Sequence, residues 1–306
     1  MGRRRRAGDL EGVLVVDKPR GPTSHDVVRV VRRAADQHRV GHTGTLDPAA
    51  TGVLVLCLGR ATRLVPFLQA GTKTYQARMV LGVETTSQDA DGEVVASTDA
   101  SHIDERTLCE ALVRFQGEIE QIPPMVSAVK VGGERLHVKA RRGEQIDREP
   151  RRVQVHALVL EAFEPGPNPE ASFLVTCSAG TYVRTLAHDL GRELGVGGSL
   201  VALRRLANGP FAVGDAHSLA DLEGADREAV AGLLLTPAES MARALPRIEI
   251  TEPDLVGRLV HGGRLPVQGQ SGPYGVHAHG RLVGVYVDGD DEARPEVVWT
   301  RPEELV

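Results

Sequence analysis

Cysteine is scarce in this chain: Cys57, Cys109 and Cys177 are the only three in 306 residues, and they are widely spaced. An odd, dispersed set argues against a disulfide framework or a cysteine zinc site, and for reduced thiols in the core of a cytoplasmic protein. Long apolar runs are missing too. None approaches the roughly 18–20 residues that a membrane helix needs. The start, Met1-Gly2-Arg3-Arg4-Arg5-Arg6, is basic but no apolar stretch follows it, so it reads as a disordered tail over residues 1–9 rather than a secretory signal. An excess of positive charge is also absent. The net charge of −5 excludes the uniformly basic body common among nucleic-acid binders. There is no internal repeat. With 41% hydrophobic and 25% charged residues, the chain has an ordinary globular composition, with length for one sizeable core and a smaller satellite.

What is present is unevenly placed. Between Val126 and Arg152 stand eight Lys/Arg against four acids, a net of +4, which leaves about −9 on the rest. A basic segment on an acidic body suits a directed phosphate contact, although composition alone equally fits a solvated charged loop. The most informative stretch is Gly41-His42-Thr43-Gly44-Thr45-Leu46-Asp47-Pro48-Ala49-Ala50-Thr51-Gly52. It is too polar and glycine-rich for a strand or helix. It runs into Val53-Leu54-Val55-Leu56-Cys57-Leu58, an unbroken apolar run suited to a fully buried strand. A loop rooted on such a strand holds Asp47 rigidly, and Pro48 biases Asp47 towards extended backbone. An isolated Asp-Pro is ordinarily just a turn. No Gly-Lys-Ser/Thr follows the glycines, which excludes a phosphate-binding P-loop, and one His with one Asp is too few for a metal.

Around that loop the pattern predicts a strand over Gly12–Lys18 and a helix from Thr23, with Asp26 closing a capping box. Val27, Val30, Val31 and Ala34 share its apolar face, and Arg29, Arg32 and Arg33 the opposite one. Lys73–Gly82 alternates as a half-buried strand. Residues 84–92 form a polar loop that fails as a calcium site, because Thr98 stands where a bidentate Glu is required. A helix over Arg106–Phe115, strands over Val153–Phe163 and Ala171–Ser178, and a helix over Thr185–Leu194 follow. A boundary falls near Leu245-Pro246. Beyond it come a strand (Arg247–Ile250), a helix from Thr251 to Gly262-Gly263, and strands Tyr274–His279 and Arg281–Asp288 turned at Gly280. His277 and His279 would share one side of that strand, with too few further ligands for a metal.

Five blocks then occur in one order: Gly12-Val13-Leu14-Val15-Val16-Asp17-Lys18-Pro19, the Asp47 loop, Lys73-Thr74-Tyr75, Gly180-Thr181-Tyr182-Val183-Arg184 and Leu203-Arg204-Arg205. Only four tyrosines occur in the chain, and two fall in these blocks. Together they resemble the TruB family of bacterial tRNA pseudouridine-55 synthases, across nearly all of residues 10–245. The resemblance implies an α+β fold: a central mixed, mainly antiparallel β-sheet flanked by helices, as catalytic domain (10–245), with a small β-rich PUA-like C-terminal domain (246–306). It implies a cofactor-free, metal-free isomerase of the cytoplasm, acting as a monomer without guide RNA or membrane on the T-arm of tRNA.

In that pattern Asp47 attacks the everted nucleotide or takes a ribose proton, and the sequence leaves the choice open. Arg184 would orient the carboxylate and favour its charged form. Tyr75 would lie flat on the uracil and could assist removal of its C5 proton. Tyr182 and Leu203 would line the base pocket, His42 would occupy the space beside the displaced nucleotide, and Lys18 would contact substrate. The basic segment, residues 126–152, falls where stand-alone members carry a thumb-like insertion; Lys130, Lys139, Arg141, Arg142 and Arg148 would grip phosphates there, in a loop mobile without RNA and ordered with it. Two alternatives share much of the pattern: a guide-RNA-dependent relative, and a non-catalytic RNA-binding or tRNA-folding protein.

Overall fold

The computed structural model describes residues 9–127, 130–136, 139, 142–144 and 146–304. The expected basic tail, apart from Asp9, and Arg141 lie outside them, as does the side chain of Lys130. Contacts divide the chain into two compact units. One comprises residues 47–52 and 72–208; the other holds residues up to 46, 53–71 and everything from 209 onward.

In the first unit a sheet is built around the strand Lys73–Leu81, whose burial alternates as its sequence predicts. On one side it pairs antiparallel with Glu170–Cys177, which pairs with Arg151–Glu164, which pairs with Gly117–Gln121. On the other it pairs antiparallel with Gly198–Asn208. That eleven-residue strand runs parallel to the start of Thr51–Leu58, with Arg204 opposite Thr51 and Arg205 opposite Gly52. The sheet is therefore mixed and mainly antiparallel. The Gly198–Asn208 strand has no counterpart among the elements predicted from sequence, because two consecutive arginines in its middle read as surface. The helices Val183–Glu193 and Glu105–Arg114 pack against the sheet and each other. Close packing of the first requires Gly191, where a Cβ would sit 2.3 Å from the Gly197 carbonyl carbon.

In the second unit the strand Gly12–Lys18 lies between Thr51–Leu58, of which Val53 onward belongs here, and His217–Ser218. The run Val53–Leu58 is wholly buried, as expected. The helix Ser24–Ala34 carries the predicted capping box between Thr23 and Asp26. Its buried face is Ser24, Val27, Val28 and Val31 rather than one including Val30 and Ala34, which are only half-buried. A five-stranded sheet, in the order Arg247–Glu249, Tyr274–Ala278, Arg281–Asp288, Glu292–Val298, Leu265–Pro266, completes this unit. Its residues Leu282, Val285 and Val297, with Trp299 just beyond its Glu292–Val298 strand, share a core with Val13, Val15, Val53 and Val55. The second histidine of the proposed same-side pair is not in a strand: Ala278 ends it, and His279 takes φ 50° in the turn with Gly280. Of the cysteines, Cys57 and Cys177 are core thiols, but Cys109 is exposed on the outer face of its helix. Among the described residues no helix is long and apolar enough to cross a membrane.

Candidate active site

The Asp47 loop is flanked by short pairings that sequence reading missed. Val40–His42 forms a strand against Leu56–Leu58, and Thr51-Gly52 already belongs to the following strand. Leu46, the residue before Asp47, is buried, and its amide and carbonyl both bond the Ser24 hydroxyl at 2.8 and 3.0 Å. After the aspartate, the Ala50 amide donates to the Asp47 carbonyl at 3.1 Å. Gly52 then adopts φ 100°, and a Cβ there would lie 2.1 Å from the carbonyl oxygen of Arg205. Only glycine fits that approach. A flexible-looking sequence is thus pinned on both sides of its carboxylate.

Asp47 Oδ2 lies 3.1 Å from an Nη of Arg184. The carboxylate side chain keeps 44% of its exposure while that of Arg184 keeps 6%. Both Nη atoms are engaged twice: one donates to the Ser87 carbonyl (3.1 Å) and to Asp89 (3.1 Å), the other to the Val126 carbonyl (2.8 Å) as well as to Asp47. Asp89, in the polar loop 84–92 that fails as a calcium site, is thereby a second anionic partner of Arg184. Its segment is fixed on the strand edge by Leu200, whose amide donates to Gln88 and whose carbonyl accepts from Ala90. The buried charge is offset here by two carboxylates and two backbone carbonyls.

Tyr75 is buried with its strand register opposite Arg205, next to a register shift of the kind that re-aims side chains at functional sites. Arg205, fully buried, bonds the phenol. Burial pushes the phenol above its ordinary pKa and the charge of Asp47 adds to this, while Arg205 opposes it. Neighbouring Lys73 is buried on the same face; burial first, and then the charge of Arg205, bring its ammonium down to about 8. Arg205 and Lys73 both lie in motifs quoted from the sequence, yet nothing in a linear reading marks them as buried cations.

The structure thus gathers Asp47, Arg184 and Tyr75 in one place. Tyr182 is half-buried at the N-cap of the Arg184 helix, and Leu203 is half-buried two register positions from the Tyr75 pairing. His42 is half-buried in its strand, edge-on to His25 with ring centroids 5.7 Å apart. Lys18, expected to contact substrate, is fully buried, and its ammonium donates to the carbonyls of Pro19 and Pro22 at 2.8 and 2.9 Å, holding the turn before the first helix. In the insertion, Arg142 pairs with Glu134 and Glu144, Arg148 donates to the Pro123 carbonyl, and Lys139 is half-buried. Among the described residues no group of three or more His, Cys, Asp or Glu could hold a metal.

An oriented and accessible carboxylate beside a phenol can attack an electrophilic carbon or take a proton from a molecule stacked on the ring. The fold is similar to a chain in the crystal structure of a Cbf5-Nop10-Gar1 complex, with a TM-score of 0.73 and 27% identity, over 95% of this chain and 86% of that one. The model of the TruB family pseudouridylate synthase N-terminal domain matches residues 32–183, and that of the tRNA pseudouridylate synthase B C-terminal domain residues 184–242. The tRNA pseudouridine synthase B of Symbiobacterium thermophilum is 50% identical over 84% of this chain and 83% of its own length. That of Thermobifida fusca is 44% identical over 94% and 98%. The chain belongs to the TruB family of pseudouridylate synthases.

Proposed function

We propose that this enzyme converts one uridine, U55 in the T-loop of tRNA, to pseudouridine, as a stand-alone cytoplasmic protein without guide RNA, cofactor or metal. The observation that carries the reading is the pairing of a solvent-accessible Asp47 with a buried Arg184, beside the phenol of Tyr75. The target base leaves its stack at a cost of a few kcal/mol. The N1–C1′ bond breaks and the uracil turns. A C5–C1′ bond then forms, the C5 proton leaves, and N1 takes one up.

Asp47 supplies the attacking or proton-abstracting carboxylate. Arg184 fixes its direction, so little reorganisation is needed when charge shifts. Because burial pushes the Tyr75 phenol above its ordinary pKa and so away from the phenolate, we assign it to stacking on the uracil rather than to acting as a phenolate base. Tyr182 and Leu203 border the base and His42 contacts the loop that gives it up, while Lys18 supports the scaffold. Lys130, Lys139, Arg141 and Arg148 take phosphates of the T-arm, Arg142 contributes less because two glutamates already pair with it, and residues 246–304 form the PUA-like part.

The test is incubation of purified protein with a T-arm minihelix and no other RNA, followed by mapping of pseudouridine. Conversion confined to U55 is expected. Conversion that requires a guide RNA, or binding with no conversion, would favour the guide-dependent and the RNA-folding alternatives respectively.

A further inference from the structure

The helix that carries Arg184 begins without a cap of its own: Tyr182 is its N-cap residue, and the tyrosine side chain makes no capping bond. A helix start with orphan amides is free to shift unless something else satisfies it. Here that partner comes from a distant strand. Gln121, the last residue of Gly117–Gln121 and only 2% exposed, receives the Tyr182 amide on Oε1 at 3.0 Å and donates from Nε2 to the Tyr182 carbonyl at 3.2 Å. The same carbonyl accepts from the Leu186 amide at 3.0 Å, the first bond of the helix. The amide orientation is fixed by chemistry, since an N–H can meet only an acceptor and a carbonyl only a donor. Five residues further on, the Val126 carbonyl accepts from Arg184 itself. The intervening Ile122-Pro123-Pro124-Met125 contains two prolines, each of which fixes its own φ. Gln121 and Val126 therefore grip the same helix turn at two points, one through the backbone of Tyr182 and one through the guanidinium of Arg184.

We propose that Gln121 is a positioning residue for pseudouridine formation: by clamping both backbone groups of Tyr182, it sets where Arg184 holds Asp47. This rests on the reading of Asp47 and Arg184 given above. A displacement of about 1 Å in a catalytic group can cost about 10²-fold in rate, so the clamp matters to the chemical step more than to RNA affinity.

The experiment compares Gln121→Leu, Gln121→Glu, Asp47→Ala and the core variant Phe173→Leu with the unaltered protein. It measures single-turnover pseudouridine formation on the T-arm minihelix, Kd for the same RNA, and the thermal midpoint. Gln121→Leu is expected to slow the single-turnover rate by about 30-fold or more with Kd changed by less than about threefold. Phe173→Leu, at equal or greater loss of midpoint, is expected to keep the rate within about threefold. Gln121→Glu supplies a signature that mere destabilisation lacks. Its carboxylate still accepts from the Tyr182 amide, but it can donate to the carbonyl only when protonated, and burial raises its pKa towards the assay range. The rate of Gln121→Glu relative to the unaltered protein is therefore expected to rise about fivefold or more from pH 8 to pH 6.

A rate within threefold of normal for Gln121→Leu, a loss confined to Kd, or a flat pH ratio for Gln121→Glu would each overturn the proposal. If Gln121→Leu does not fold, the pH ratio of Gln121→Glu decides alone. An active Asp47→Ala would overturn the reading of the site itself, whereas an inactive Asp47→Ala beside a fast Gln121→Leu would overturn this inference only.

Discussion

The Asp47–Arg184 site and the basic insertion treat their arginines in opposite ways. Arg184 is buried and spends its donors on four acceptors from three separate segments, residues 47, 87–89 and 126. Arg142 is exposed, and its partners Glu134 and Glu144 come from its own segment. Exposed pairs of the second kind are worth about 0–1 kcal/mol and exchange readily for a phosphate. Losing one partner of a buried network costs about 3–5 kcal/mol. On the proposed function, chemistry that tolerates little displacement would sit on over-determined groups, and the surface proposed to take the RNA backbone would use charges that can change partners.

One substitution made in both regions should separate them most widely. Gly52 and Gly143 both have positive φ, 100° and 74°. A methyl at Gly52 would strike the Arg205 carbonyl, whereas at Gly143 nothing among the described residues lies within 4 Å. Gly52→Ala is expected to cut single-turnover activity by about 10²-fold or more or to prevent folding. Gly143→Ala should cost about 1 kcal/mol and leave activity within about twofold. Activity assays with thermal melts check both, and similar losses at the two positions would erase the contrast.

A smaller effect is expected in RNA affinity. Replacing Lys139 and Arg141 together by Ala should lower the salt slope of log Kd by roughly 0.7–0.9 for each phosphate that is no longer neutralised, and adding Arg142→Ala should lower it further by less than that. Filter binding across a salt series measures this. An unchanged slope would mean that the insertion does not grip the backbone.

The smallest effect concerns stability. Lys73 gives up its proton near pH 8 in the folded protein, whereas in the unfolded chain it does so near 10.4. Between those values the unfolded state holds the extra proton, so stability rises with pH there; below pH 8 both states are protonated and the cost is constant. The melting temperature of the wild type minus that of Lys73→Met should therefore increase from pH 8 to pH 10. A difference that stays level would show that the ammonium is not held down by burial.

How much of this was legible in the sequence follows the same division. Asp47, Tyr75 and Arg184 lie in short local motifs, and the alternation around Tyr75 is a property of consecutive residues. The strand Gly198–Asn208 escaped because Arg204-Arg205 looks solvent-facing until Tyr75 and Gly52 are seen on either side of Arg205. Asp89 and Gln121 escaped because their partners lie 95 and 61 residues away, and no local periodicity encodes such a meeting. Lys18 was legible as a motif residue but not as a buried one, since only the fold shows two proline-segment carbonyls closing around its ammonium.

The central claim is that the Asp47 carboxylate performs the chemistry and contributes little to holding RNA. It is tested most directly by measuring single-turnover pseudouridine formation and tRNA Kd for Asp47→Ala in parallel. No detectable product with Kd within about threefold of the wild type is the expected result. Product formed by Asp47→Ala at a measurable rate would contradict it.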